Sequence, residues 1–182
     1  MLLPHDNERL LFQGTRFRVV ERQQRAADGK SVPRQVVIHP GAVLILPLLN
    51  GDRVCLIRNE RVAIAKTLVE LPAGTLDGDE PPAEAAVREL REETGYTAAR
   101  WRQLPGFFMS PGILNERMHV FVAEQLSEGP PNRESGENID NLVVLWSEAM
   151  RMAENGEIED AKTLSALLLW DRLRSPSLEG RG

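Results

Sequence analysis

The 182-residue chain has one cysteine, one tyrosine and three histidines, and aromatic residues make up only 5% of it. The single thiol, Cys55, lies in the apolar run RVCLIR. One thiol excludes an intramolecular disulfide and suits a reducing compartment. His5, His39 and His119 are scattered without ligand spacing, so each is read as structural or exposed. There is no basic run able to neutralise a phosphate backbone, and the formal net charge is −5, which argues against a general nucleic-acid binder. The first ten residues, MLLPHDNERL, are too poor in apolar character for a signal peptide, and no apolar run reaches membrane-spanning length. The expectation is a cytoplasmic protein with no nucleic-acid and no membrane partner. No internal repeat is present, and the length is most simply one domain.

Strand signals dominate the first half. Residues 15–22 (TRFRVVER) and 34–39 (RQVVIH) read as two strands, with Asp28-Gly29 as a turn signal between them. Residues 42–49 (AVLILPLL) form a near-continuous apolar run, as expected of a strand buried on both faces. Asn50-Gly51 then turns the chain into a strand at 53–58. Residues 67–71 read as extended, Pro72 stops them, and Ala73-Gly74 lead into a loop. A helix is predicted at 83–94, with Pro81 and Pro82 in its first turn and Gly95 as its stop. Further strands are predicted at 104–109, 118–126 and 142–146. Residues 129–138 have loop composition. Two helices, 147–155 and 160–174, close the chain, with Asp160 as N-cap of the second. This order gives a mixed sheet flanked by helices.

The segment from Gly74 to Tyr96 is the chemical anomaly. It holds seven acidic residues against Arg88 and Arg91, a local balance equal to the net charge of the whole chain. On a helical wheel Ala83, Val87, Leu90 and Thr94 form an apolar stripe facing the core. Glu89, Glu92 and Glu93 share the opposite side, within reach of one another, where like charges repel. Arg88, four residues before Glu92, offsets part of that repulsion. Two readings are open: a solvated acidic face, or a site for a divalent cation. Oxygen donors with no histidine or cysteine nearby suit Mg²⁺ or Mn²⁺ rather than Zn²⁺. A flexible Gly74 and a carboxylate at Glu80, just before the helix, favour the cation.

The full pattern is more specific than the helix. Gly74, Glu80 and the run Arg88-Glu89-Leu90-Arg91-Glu92-Glu93-Thr94-Gly95-Tyr96 match every fixed position of the Nudix signature, with Tyr96 a permissive fit at its last position. The chain therefore resembles the Nudix hydrolases. It is similar in particular to their ADP-ribose pyrophosphatase branch. The lead-in Glu70-Leu71-Pro72-Ala73-Gly74, the proline Pro111 fifteen residues after Tyr96, Glu116-Arg117 before MHVFVA, and the closing GENIDNLVV and NGEIEDAKTLSAL segments carry that likeness.

The resemblance implies an α+β Nudix fold: an α/β/α sandwich around a mixed sheet, with an N-terminal β-hairpin extension. It implies N-terminal strands within 1–40 that serve dimerisation, a hydrolase domain at 41–175 and a disordered tail at 176–182. It implies a homodimer whose N-terminal strands reach across to the other subunit's nucleotide site. The implied metal ligands are the Ala73 carbonyl, Glu89, Glu92 and Glu93, with Mg²⁺ as the cofactor and Mn²⁺ as a substitute. Glu92 is a ligand, a water-mediated contact or part of the catalytic set. Arg88 would hold Glu92 or a neighbouring carboxylate, and Gly74 and Gly95 would be structural. Arg61, Arg34, Glu70 and Pro111 are the implied substrate-binding residues. Glu137, with Glu134 as the second candidate, would position or deprotonate the attacking water.

Trp101, Trp146 and Trp170 read as packing residues, and Phe17 is a candidate to stack on adenine. The implied reaction is hydrolysis of ADP-ribose to AMP and ribose 5-phosphate. The rivals are a pyrophosphatase for another nucleoside diphosphate sugar and a nucleotide-sensing regulatory domain. The intact carboxylates and the lack of a basic recognition helix disfavour the last.

Overall fold

A computed structural model describes residues 8–133 and 138–174. Ten strands and three α-helices are formed among them: β1 (Arg9–Gln13), β2 (Arg18–Arg25), β3 (Ser31–Ile38), β4 (Ala42–Leu49), β5 (Arg53–Arg61), β6 (Lys66–Glu70), β7 (Ala73–Thr75), α1 (Pro82–Glu89), β8 (Thr97–Phe108), β9 (Arg117–Ser127), β10 (Ile139–Leu145), α2 (Trp146–Glu154) and α3 (Ala161–Arg174). The architecture is an α/β/α sandwich about a mixed sheet, with a separate N-terminal antiparallel sheet.

The apolar run of β4 is the centre of the molecule. Its side chains alternate between two cores, as the pleat requires. Leu44 and Leu46 point into a core with Leu56, Val120, Trp146 and Leu167, under α2 and α3. Val43 and Ile45 point the other way, into a core with Cys55, Ala85, Ala86 and Leu90, under α1. Burial pushes the Cys55 thiol up to about 12, so it is an inert packing group rather than a nucleophile.

The order of the main sheet is β10-β5-β4-β9-β8, antiparallel except for the parallel pair β4–β9. β4 and β5 pair only beside their turn, at Leu48–Val54 and Leu49–Arg53. Beyond that point they splay. β7 takes over the free edge of β4, and β6 takes over that of β5. The link Leu71-Pro72 runs through the opening, and the Ile45 amide donates to the Pro72 carbonyl at 2.9 Å. This splay delivers Ala73 and Gly74 to the mouth of the sheet.

The expected N-terminal antiparallel hairpin is present as β2-β3, and RLLFQ adds β1 beside β2 as a third strand. Three sequence expectations need correction. Residues 73–75 are extended rather than loop, because β4 offers them an unpaired edge. β8 begins at Thr97 rather than 104: TAARWRQ is too polar to signal a strand alone, yet it pairs with β9 across a bulge that absorbs Pro105 and Gly106. The third concerns the acidic helix. Ala83 and Val87 are exposed, and the buried face is Ala85, Ala86, Leu90, Glu93 and Thr94. Small side chains at 85 and 86 let the helix backbone lie close to the sheet, and that close face rotates Glu93 inward. The helix also widens into a π turn over Leu90–Thr94 before Gly95 ends it at φ +80°. A Cβ at Gly95 would stand 2.2 Å from the Gly129 carbonyl oxygen, so only glycine fits.

Candidate active site

A cleft of about 390 Å³ opens where β7, the helix and the splayed strands meet. One wall is acidic. Glu89 and Glu92 are partly buried there, and Glu93 is buried at 3% exposure. The Ala73 amide donates to Glu93 Oε2 at 3.0 Å, tying the helix to the loop strand. Gly74 packs directly on Glu89: a Cβ there would lie 1.8 Å from the Glu89 carboxyl carbon.

Arg88 organises this wall. Its guanidinium donates to Glu80 at 3.0 and 2.9 Å, to Glu89 at 2.7 Å and to Glu92 at 3.0 Å. The hydrogen bonds to Glu80 come first among the causes that raise the Arg88 pKa, and the same bonds hold the Glu80 carboxyl below its ordinary value. A single cation thus keeps three carboxylates side by side, offsetting the repulsion that the sequence leaves unexplained.

The end of the helix is equally tied down. The carbonyls of Glu92, Glu93 and Thr94 would be orphaned at a helix C-terminus. They accept from the Asn132 amide (3.0 Å), Arg133 Nε (3.1 Å) and Asn141 Nδ2 (2.8 Å). Glu134 and Glu137 lie outside the described residues.

The cleft lining also holds cations. Arg61, at the end of β5, and Lys162, in the first turn of α3, both belong to it. Arg61 donates through Nε (2.7 Å) and Nη2 (2.5 Å) to the two oxygens of Glu70. Lys162 donates to the same Glu70 and lies 3.0 Å from Asp160. Glu70 is fully buried and is not among the residues that line the cleft. Burial pushes its carboxyl up, but Arg61 and Lys162 more than offset this and leave it below the ordinary range. The sign follows. A depressed folded-state pKa stabilises the fold above the unfolded value of 4.5, and that contribution fades as pH falls through the folded value. Glu70→Gln should therefore cost about 3 kcal/mol at pH 7. The gap from wild type should narrow below about pH 4.5, read from urea unfolding midpoints across pH.

Arg34 and Pro111 do not line this chain's cleft. Arg34 is exposed on β3 and donates to Gln24 at 2.9 Å. Pro111 sits in an exposed turn whose Ile113 carbonyl accepts from the Val37 amide of β3 at 2.8 Å. Sequence reasoning missed Lys162, and also Arg16, which reaches the cleft from the turn between β1 and β2. No local pattern marks either one; the Asp-Ala-Lys-Thr start of α3 was legible only as a helix cap.

The NUDIX domain model matches residues 38–167. The chain belongs to the Nudix family. An ADP-ribose pyrophosphatase of Bacillus subtilis (strain 168) is 39% identical over 142 residues, covering 77% of each chain. A GDP-mannose pyrophosphatase of Citrobacter koseri (strain ATCC BAA-895 / CDC 4225-83 / SGSC4696) is 39% identical over 148 residues, covering 76% of this chain and 75% of its own. The crystal structure of an ADP compounds hydrolase superposes with a TM-score of 0.81 at 24% identity, over 92% of this chain and 91% of that one, which shows the fold.

Nudix hydrolases generally use divalent metal ions, and the donor chemistry here fits one. The Nudix helix and Ala73 offer only hard oxygens, and Gly74 leaves the room that Glu89 occupies. Among the described residues no three His, Cys, Asp or Glu side chains form a ready-made cage. No helix among the described residues is long and apolar enough to cross a membrane.

Proposed function

We propose that this chain hydrolyses the diphosphate bond of ADP-ribose, giving AMP and ribose 5-phosphate, with Mg²⁺ as the physiological cation and Mn²⁺ as a substitute. The observation that carries the reading is the shared lining: the carboxylates held by Arg88 line one cleft, sized for a nucleotide, together with Arg61 and Lys162. The identity to an ADP-ribose pyrophosphatase supports the choice of substrate.

In this mechanism the Ala73 carbonyl, Glu89, Glu92 and Glu93 would hold the cation, and the chemistry it would supply there is neutralisation of charge on the diphosphate and a more acidic water. The Ala73 amide and Arg88 keep the carboxylates in place before substrate arrives, so none need reorganise. Arg61 donates to the diphosphate oxygens through the edge that Glu70 leaves open. Glu137, or Glu134, positions the attacking water. The water oxygen forms a bond to one phosphorus, the bridging P–O bond breaks, and each product leaves with one phosphate.

The second reading, a GDP-mannose pyrophosphatase, is favoured by a relative of equal identity. The kcat/KM ratio for ADP-ribose over GDP-mannose separates them. We expect ADP-ribose to be preferred by about tenfold or more, and a reversed ratio would move the chain to the second reading.

We also propose a homodimer formed through the N-terminal strands, in which Arg34 reaches the neighbouring subunit's cleft. Leu10, Leu11, Phe12 and Phe17 are all exposed in the single chain, an apolar surface that association would cover. Light scattering should give twice the chain mass; a monomer at working concentration would overturn this. The cellular address is proposed as cytoplasmic, with residues 41–175 as the catalytic unit.

A further inference from the structure

We infer that Lys162 is a positioning residue: acting through Glu70, it fixes the guanidinium of Arg61 in the orientation that meets the diphosphate. The inference rests on the diphosphate-hydrolase reading above and extends it to a residue on the last helix of the fold.

The geometry is a clamp between two distant segments. Lys162 and Thr163 lie in the first turn of α3; Glu70 ends β6, and Leu71 follows it toward β7. Lys162 Nζ donates to Glu70 Oε2. Thr163 Oγ1 accepts from the Leu71 amide at 2.8 Å. Asp160 closes the clamp, accepting from the Thr163 amide at 3.0 Å and its hydroxyl at 2.5 Å while lying 3.0 Å from Lys162 Nζ. Two consecutive residues of the helix thus hold the consecutive residues Glu70 and Leu71.

The charges explain why a lysine stands there. Glu70 has both oxygens on Arg61, and Oε2 is shared with Lys162. Arg61 alone would neutralise Glu70, but a carboxylate held at one end only could swing with the long arginine side chain. Lys162 pins the shared oxygen from behind. The fork of Glu70 then fixes Nε and Nη2 of Arg61 in one plane, leaving Nη1 for the cleft. Arg61 keeps 40% of its side chain exposed, whereas Lys162 keeps 11% and Glu70 1%. The buried members are the support and the exposed member is the reader. Stability is a weak reason for the arrangement, because well-packed apolar residues commonly replace buried ion pairs at no loss. Preorganising a phosphate-binding arginine is a sufficient one.

A double-mutant cycle on ADP-ribose hydrolysis tests this. Lys162→Met should raise KM about tenfold with a smaller change in kcat, as for other residues that orient a binding group. In an Arg61→Ala background the same change should add less than about twofold, because the group it positions is gone. An equal effect in both backgrounds would overturn the inference and make Lys162 a direct phosphate contact or a purely structural residue. So would a Lys162→Met enzyme with wild-type KM.

A second readout needs no substrate. The ¹⁵N–¹H resonance of Arg61 Nε should be sharp and protected from exchange in the wild type and should broaden in Lys162→Met; an unchanged resonance overturns the inference. A wild-type protein inactive on ADP-ribose would count against the proposed function, while the Arg61 resonance would still decide the role of Lys162. Should Lys162→Met fail to fold, Lys162→Leu replaces it in both measurements, with the same outcomes expected.

Discussion

Glu93→Gln should lower kcat by about three powers of ten or more while leaving the fold intact. Glu93 is buried at the inner side of the acidic wall, where its Oε2 accepts from the Ala73 amide. A glutamine can keep that hydrogen bond through its amide oxygen, so the tie between helix and loop strand survives. What it removes is one negative charge from a wall where Arg88 is the cation bonded to Glu80, Glu89 and Glu92. The charge is also attracted to Arg61, so the variant should stay within about 1 kcal/mol of wild type in stability and be nearly inactive. Thermal unfolding and steady-state kinetics on one preparation check both halves. Near wild-type turnover would remove Glu93 from the catalytic set.

Gly74→Ala is expected to separate position from chemistry. The added methyl would overlap the Glu89 carboxylate, with Oε1 1.9 Å and Oε2 2.3 Å away. The obstructed atoms are the end of a flexible side chain, so Glu89 can swing aside and the backbone need not move. Stability should fall by about 1 kcal/mol or less. Activity should fall about a hundredfold, the scale set by displacing a reacting or binding group by about 1 Å. Retention of wild-type activity would mean that the contact of Gly74 with Glu89 has no bearing on catalysis.

How much of this was legible in the chain depends on how local each feature is. The run Arg88 to Gly95 declares itself, because a helix brings residues three and four apart together by its own geometry. Arg88 as the organiser of Glu92 follows from the same rule, and the structure adds Glu80 and Glu89 as its partners. The double-faced burial of β4 is equally legible, since AVLILPLL has no polar face to expose. The wheel misassigned Ala83 and Val87, because it ranks residues by hydrophobicity, whereas close approach to the sheet selected the small Ala85 and Ala86. The strand over Thr97–Phe108 was hidden for the opposite reason: its pairing with β9, not its own apolarity, makes it a strand. Lys162 lay beyond reach. Its partner Glu70 is 92 positions away, and nothing short of the tertiary fold brings α3 onto the end of β6. The same distance disguised Glu70, which the motif presents as a substrate contact and the structure buries behind Arg61.

The most direct test of the account is the product balance of ADP-ribose incubated with the protein and Mg²⁺, with and without excess chelator, followed by ³¹P NMR. AMP and ribose 5-phosphate should appear in equal amounts, released only when the divalent cation is available. Products formed at the same rate under chelation, or no cleavage of the diphosphate by folded protein with the cation present, would contradict it.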